Sequence, residues 1–263
     1  MKLLQKLFKK SAVERNFIQS EIESMAGLQF GTKGSVMVDN KPFLFHDAGC
    51  FYNTYQEIIK DNIYKFKCNS KKPYIIDCGA NMGLSIYYFA KEYPNAEIVA
   101  FEPEEEIYSV LEKNIATFQL ANVKLYKKAV WNTETTLEFY SDKGMGGSVE
   151  NKYNNQKPTY IETLRLAYFL NKKVDMLKLD IEGAEYMVLK DCKDLLKNVE
   201  NIFVEYHSFI NKEQHLDDVL LILKQEGFRY HLRESFFRKM PFIDKNLACD
   251  NMDMAINIFA YRD

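Results

Sequence analysis

The chain has no apolar run approaching the ~20 residues that a bilayer-spanning helix needs. It has no excess of basic residues: the formal net charge is −2, which gives no electrostatic reason to expect nucleic acid as a partner. It has no Cys-x-x-Cys pair, and its five cysteines (Cys50, Cys68, Cys78, Cys192, Cys249) are odd in number and far apart. That usage fits free thiols in a reducing compartment, the cytoplasm, better than a disulfide framework or a zinc site. Internal repeats and low-complexity tracts are absent, and Met1–Lys10 lacks the long apolar stretch and small-residue cleavage site of a signal peptide. What remains is ordinary soluble composition: 47% hydrophobic and 27% charged in 263 residues, enough for one substantial core.

From Tyr74 onward apolar runs and helix-periodic segments alternate. Strands are expected near 74–78, 97–102, 123–127, 174–180, 200–206, 228–233 and 254–261, and helices near 83–93, 104–119, 184–197 and 212–226. Such alternation predicts an α/β fold, a mostly parallel doubly wound sheet with helices on both faces. Two irregular stretches interrupt it. Thr135–Tyr140 alternates like a short strand, and 141–160 is a loop rich in Gly, Asn and Lys. The last strand follows its predecessor without a helix, which implies an antiparallel partner at the end of the sheet. Residues 1–65 form an accessory segment: a helical piece (13–25), short strands (31–45) and a helix-like stretch (52–64). The polar stretch 67–73, ending in Pro73, reads as a linker to a principal domain over 66–263. Leu3, Leu4, Leu7 and Phe8 lie at helical spacing opposite Lys2, Lys6, Lys9 and Lys10. A basic amphipathic helix of this kind can lie on an anionic membrane surface; packing on its own domain is the plainer reading.

The segment Tyr74-Ile-Ile-Asp-Cys-Gly-Ala-Asn-Met-Gly83 carries the most chemistry. A buried strand ends in Asp77, then come two glycines four apart, then a helix. Glycine permits a sharp turn close to a ligand, and free amides at a helix start favour polar or anionic groups. The next strand delivers Glu102 about 20 residues after that turn, where a carboxylate can accept both hydroxyls of a ribose. Asn81 stands where dinucleotide-binding turns carry their middle glycine. Asp77 suits an ammonium or amide better than a pyrophosphate neighbour. This is a nucleoside-cofactor site. Glu104, Glu105 and Glu106 sit where a helix macrodipole favours negative charge.

Two further carboxylate groups fall at strand ends. Met176–Leu179 is followed by Asp180, Glu182 and Gly183, and in open α/β sheets ligands bind beyond the carboxyl ends of strands. In Asn201-Ile-Phe-Val-Glu-Tyr-His207, Glu205 and His207 share one side of an extended strand. His207 is a candidate base because an imidazole titrates near neutrality. Asp180, Glu205 and His207 could together bind Mg²⁺ or Mn²⁺, although no metal is assigned. Cys78 reads as a small buried filler, and His46, His215 and His231 as surface or structural.

The runs Ile-Ile-Asp-Cys-Gly-Ala-Asn-Met-Gly-Leu-Ser, Ala-Phe-Glu-Pro, Lys-Lys-Ala-Val, Lys-Leu-Asp-Ile-Glu-Gly-Ala-Glu and Val-Glu-Tyr-His occur in that order. The sequence over roughly 50–210 thereby resembles the FkbM family of S-adenosylmethionine-dependent methyltransferases. The resemblance implies a Rossmann-like class I fold, with a seven-stranded, mostly parallel sheet whose last strand is antiparallel. It implies O-methylation of a sugar, glycan or small-metabolite hydroxyl, as in polysaccharide biosynthesis. The cofactor set it implies is Asp77, Gly79, Ala80, Asn81, Gly83, Glu102, Pro103, Ala129 and Asp180. Within that set, Asp77, Gly79 and Gly83 take the methionine tail and Glu102 the ribose; adenine lies near Lys128–Trp131, and Asp180 stands beside the sulfonium. The catalytic set is His207 and Asp180 as proton acceptors, with Glu182 and Glu205 orienting acceptor or base. One departure stands out: the family commonly writes Thr-Leu-Asp where this chain has Thr163-Leu164-Arg165. Rival readings are an N-methyltransferase of a small metabolite, a cofactor-binding scaffold in a glycan-assembly complex, and a dehydrogenase.

Overall fold

The computed structural model of the chain describes residues 11–29, 31–141, 147–148, 159–210, 212–235, 240–243 and 252–262. The basic segment 1–10, Cys249 and most of the stretches 141–160 and 234–253 lie outside the described residues. In chain order the strands are β1 (Gly34–Val38), β2 (Lys41–Phe45), β3 (Tyr74–Cys78), β4 (Glu97–Phe101), β5 (Val123–Tyr126), β6 (Ala129–Trp131) and β7 (Thr136–Ser141). They continue as β8 (Gly147–Ser148), β9 (Thr159–Arg165), β10 (Met176–Leu179), β11 (Asn201–Phe209), β12 (Arg229–Glu234) and β13 (Met252–Tyr261). The α-helices are α1 (Gln19–Ser24), α2 (Ala48–Thr54), α3 (Leu84–Glu92), α4 (Glu105–Thr117), α5 (Glu185–Cys192) and α6 (Leu216–Gln225).

Seven strands form one sheet in the order β12-β13-β11-β10-β3-β4-β5. The pairs β10–β11, β10–β3, β3–β4 and β4–β5 are parallel, whereas β13 runs antiparallel between β11 and β12. The expected antiparallel last strand is therefore inserted second from the edge. Successive side chains on the central strands enter different apolar layers. Ile75, Ile98 and Ala100 pack with the α3 side, and Ile76, Val99 and Phe101 with the α5–α6 side. Burial on both faces is why these strands read as continuous apolar runs rather than alternating ones. The chain leaves β3 toward β4 on one side and reaches β10 on the other. The carboxyl ends of β3 and β10 thus flank the crevice where strand order reverses.

The accessory segment differs in detail from its sequence expectation. The helix expected over 13–25 is broken: a 3₁₀ turn (Glu14–Asn16) precedes α1, and Phe17 between them is extended and bridges Val38. Ring packing decides this, because Phe17 sits 5.0 Å from Tyr55 and 5.9 Å from Tyr87 between ring centroids. The helix expected over 52–64 begins earlier, at α2, where the Asp47 carboxylate accepts from the Cys50 amide at 2.6 Å as an N-cap. It continues as a π-helical stretch, Tyr55–Lys60. The expected short strands are β1 and β2, which pair as an antiparallel hairpin turning at Asp39 and Asn40 with φ of 51° and 60°. Strands β6 and β9 were not expected; they join β7 and β8 in a small second sheet. The 184–197 helix divides into α5 and a 3₁₀ turn, Lys193–Asn198.

Candidate active site

The β3–α3 turn is built by close approach of two strand ends. Gly79 has φ of +85°, and a Cβ there would lie 1.8 Å from the Asp180 carbonyl oxygen. Only glycine allows the turns after β3 and β10 to touch. Gly83 precedes α3 with φ of +91°, and a Cβ would meet Leu111 of α4 at 2.6 Å. Both glycines are thus required by packing of the protein against itself, a reason the ligand-centred sequence argument did not contain. The Gly79 and Ala80 amides donate to the Phe101 carbonyl, which ties the turn to the end of β4.

Glu102 closes β4 almost fully buried, at 7% exposure. Its Oε2 accepts from the Asn81 amide and its Oε1 from the Glu104 amide, both at 3.0 Å. Burial outweighs these bonds and pushes its carboxyl up to about 7. A narrow cavity runs beside it, lined by Gly79, Asn81, Phe101, Glu102, Pro103, Ile107, Lys128–Trp131, Asp180 and Glu182, among others. Of the expected cofactor residues, Gly79, Asn81, Glu102, Pro103, Ala129 and Asp180 line this cavity.

Asp77 does not line it. Its side chain is fully buried beneath the turn, accepting from Ser85 Oγ at 2.5 Å and lying 3.3 Å from Lys178 Nζ. Burial raises its carboxyl. Lys178, which the sequence reading passed over, organises this layer. It is 2% exposed on β10, in register with Asp77, and donates to the Gly79 carbonyl at 2.7 Å. It also pairs with Asp180 Oδ2 at 3.2 Å. Burial opposes its charge, but Asp180 and Asp77 overcome that and hold the ammonium well above its usual range. The available signal was a lysine inside an otherwise apolar strand, Met176-Leu-Lys-Leu179.

A wider cavity of about 790 Å³ opens from the first, and Gly79, Asn81, Asp180 and Glu182 line both. Its wall includes Asn53, Gln56 and Glu57 from the accessory segment, and Glu205, His207 and Ala255 from the sheet. Here the expected catalytic residues converge. His207 Nδ1 lies 3.1 Å from Glu185 Oε1, and its Nε2 is 3.7 Å from Glu182 Oε2. Burial disfavours the imidazolium, yet Glu182, Glu185 and Glu205 outweigh burial and hold the ring well above its ordinary pKa. Glu182 is raised to about 8 and Glu205 to about 7, burial being the largest cause for each. Glu182 itself takes φ of +55°, an uncommon conformation for a side-chain-bearing residue. Glu185, also absent from the sequence reading, fixes that turn: its fully buried carboxylate accepts from the Ile181 and Gly183 amides.

Other readings find their places outside the cavity walls. Cys78 is fully buried in the apolar layer, and burial raises its thiol well above the usual range. Arg165, the departure in the Thr-Leu-Asp position, makes a two-bond ion pair with Asp191 at 2.7 and 3.2 Å. Among the described residues Cys68, Cys78 and Cys192 form no disulfide, and no helix is long and apolar enough to cross a membrane.

A sheet of order β12-β13-β11-β10-β3-β4-β5 with one antiparallel strand, carrying a glycine turn and a carboxylate at its switch point, defines a Rossmann-like methyltransferase fold. The methyltransferase FkbM domain model matches residues 77–230, more than half of the chain, and the chain belongs to that methyltransferase family. Methyltransferase sdnD of Sordaria araneosa is 28% identical over 188 residues, spanning 57% of this chain and 73% of sdnD. The 2-O-methyltransferase NoeI of Sinorhizobium fredii is 24% identical over 155 residues, 51% of this chain and 63% of NoeI. Methyltransferase FkbM from Methylobacillus flagellatus superposes with a TM-score of 0.48 at 14% identity, covering 73% of this chain and 45% of that one.

Proposed function

We propose that the chain uses S-adenosylmethionine to methylate a hydroxyl of a sugar, glycan or small metabolite in the cytoplasm. The observation that carries this reading is the meeting of the two cavities at Gly79, Asn81, Asp180 and Glu182. One cavity carries the buried Glu102 carboxylate for a ribose; the other, of about 790 Å³, has room for a polyhydroxylated acceptor and a wall of titratable groups. The 2-O-methyltransferase activity in NoeI's name supports oxygen as the accepting atom.

When bound, S-adenosylmethionine supplies a methyl made electrophilic by its positively charged sulfur. Glu102 accepts the ribose hydroxyls, and Pro103 and Ala129 form apolar walls toward the base. Gly79, Ala80 and Gly83 shape the turn that receives the amino-acid end, while Asp77 acts from below, through Ser85 and Lys178. An alcohol is a poor nucleophile at neutral pH, so its proton must find an acceptor. Asp180 takes it, or His207 once that ring has released the proton its neighbouring carboxylates hold on it, with Glu182 and Glu205 orienting the acceptor. Holding the two reactants in adjoining cavities supplies much of the remaining rate.

Calorimetric titration with S-adenosylhomocysteine tests the cofactor assignment, with NAD as the control. Saturable heat with the first and none with the second is expected; the reverse would make the chain a dehydrogenase-like binder. Turnover on a panel of neutral sugars and amines, read by S-adenosylhomocysteine release, then decides between O- and N-methylation.

A further inference from the structure

We propose that the acceptor cavity holds one divalent cation, Mn²⁺ in preference to Mg²⁺, on Asp180, Glu205 and His207. The proposal rests on the preceding reading of that cavity as the acceptor site; with the ion bound, Asp180 and His207 act as its ligands and coordination to the ion, in place of direct proton transfer to either, activates the hydroxyl. One ligand atom from each of the three lies within 4.8 Å of the others. Three ligands on one octahedral ion with ~2.1 Å bonds sit about 3–4 Å apart, so side-chain shifts below ~1 Å close the site.

Each ligand is held from outside the triad in the way that metal ligands are held. The buried Glu185 carboxylate sits 3.1 Å from His207 Nδ1 and orients the ring with Nε2 toward Glu182 at 3.7 Å; an ion bound at Nε2 displaces the proton that the carboxylates hold there. Ser235 Oγ donates to Glu205 Oε1 at 2.6 Å, leaving Oε2 to ligate. Lys178 Nζ holds Asp180 Oδ2 at 3.2 Å, leaving Oδ1. Directly across the β11–β13 pair from Glu205, on the same face, stands Asn257. Its side chain is 2% exposed, and its Oδ1 has no hydrogen-bond partner among the described residues. An unbonded buried acceptor across the strand pair from a carboxylate is uphill without a cation or a water to satisfy it. The donor set of two carboxylates and one imidazole decides the ion, because the nitrogen favours Mn²⁺ over Mg²⁺. The cavity leaves the remaining coordination positions open to solvent or substrate, as a catalytic rather than structural site requires.

In this arrangement the acceptor hydroxyl coordinates the ion, which lowers the cost of breaking its O–H bond. The displaced proton leaves to solvent through the open cavity. The freed oxygen pair forms the C–O bond to the transferred methyl, and the C–S pair stays on sulfur, discharging the sulfonium. No further reactant is needed.

The test is titration of the chelator-stripped chain with Mn²⁺, followed by electron paramagnetic resonance and calorimetry, alongside S-adenosylhomocysteine binding. The expected result is one saturable Mn²⁺ site per chain. Glu205→Gln and His207→Ala should each weaken it by ~10- to 100-fold while S-adenosylhomocysteine still binds. Mg²⁺ should compete only in large excess. Absence of a saturable site, or a site that ignores both substitutions, overturns the proposal. S-adenosylhomocysteine binding keeps the two readings apart: retained binding without Mn²⁺ removes only the ion, whereas lost binding removes the cofactor assignment itself.

Discussion

At the scale of single residues, the candidate site depends on carboxylates held away from water. Glu102 is the clearest case, because burial, aided by the Glu104 charge, lifts its carboxyl to about 7 against two backbone hydrogen bonds. A protonated carboxyl loses acceptor capacity for the ribose hydroxyls, so cofactor affinity should fall as the pH drops through that value. If only the ionised form binds, S-adenosylhomocysteine affinity should be about tenfold weaker at pH 6 than at pH 8.5. Glu102→Gln should bind weakly throughout and flatten the profile; an unchanged pH profile in that variant would detach Glu102 from the ribose. His207 is bracketed by Glu182 and Glu185. Its replacement by alanine should lower turnover by ~100-fold or more with nearly intact S-adenosylhomocysteine binding, since it lines the acceptor cavity and not the cofactor cavity. Lys178 behaves differently. Lys178→Met leaves Asp77 buried without its counter-charge, and a loss of about 3–5 kcal/mol in chemical denaturation is expected. Wild-type stability in that variant would show that Asp77 is neutral in the folded chain.

At the scale of elements, the strand ends do the positioning. The β3 turn and the β10 turn are in backbone contact at Gly79 and Asp180. Gly79→Ala must push them apart and strain a positive φ, so both stability and cofactor binding should suffer. A drop of about 2 kcal/mol or more in unfolding free energy is expected, together with a weaker calorimetric signal. The apolar runs of β3, β4, β10 and β11 were legible in the sequence because burial on both faces makes them unambiguous. The break at Phe17 was not, since the periodicity of 13–25 is helical and only the ring contacts to Tyr55 and Tyr87 oppose it. Strands β6 and β9 escaped for a related reason. They are short or partly exposed, and their partners lie some thirty residues away in register Ala129↔Thr163, beyond the reach of any local pattern.

At the scale of the whole molecule, the accessory segment and the principal sheet share one apolar layer. Phe17, Phe43, Phe51 and Tyr55 pack with Tyr87 and Phe89 of α3 and with Ile75 and Ile98 of the sheet. Phe51 is fully buried in that layer. Phe51→Ala should lose about 3–5 kcal/mol, a cost typical of a large core ring, and should lower the melting temperature of the entire chain in one transition. A separate low-temperature transition would show instead that the segment unfolds by itself. Because Asn53, Gln56 and Glu57 line the acceptor cavity, the same segment is placed to select the acceptor.

The sequence by itself determined the alternating α/β architecture, the family, and the four carboxylate-bearing motifs, because each motif and each strand or helix is written in a short contiguous run. Tertiary structure alone decided that Asp77 lies under the turn rather than in the cavity, that Lys178 and Glu185 anchor the two turns, and that Glu182 and Glu185 bracket His207. The physical reason is that burial and mutual charge depend on which strand ends become neighbours, and neighbouring strands in this sheet are as much as a hundred residues apart in the chain.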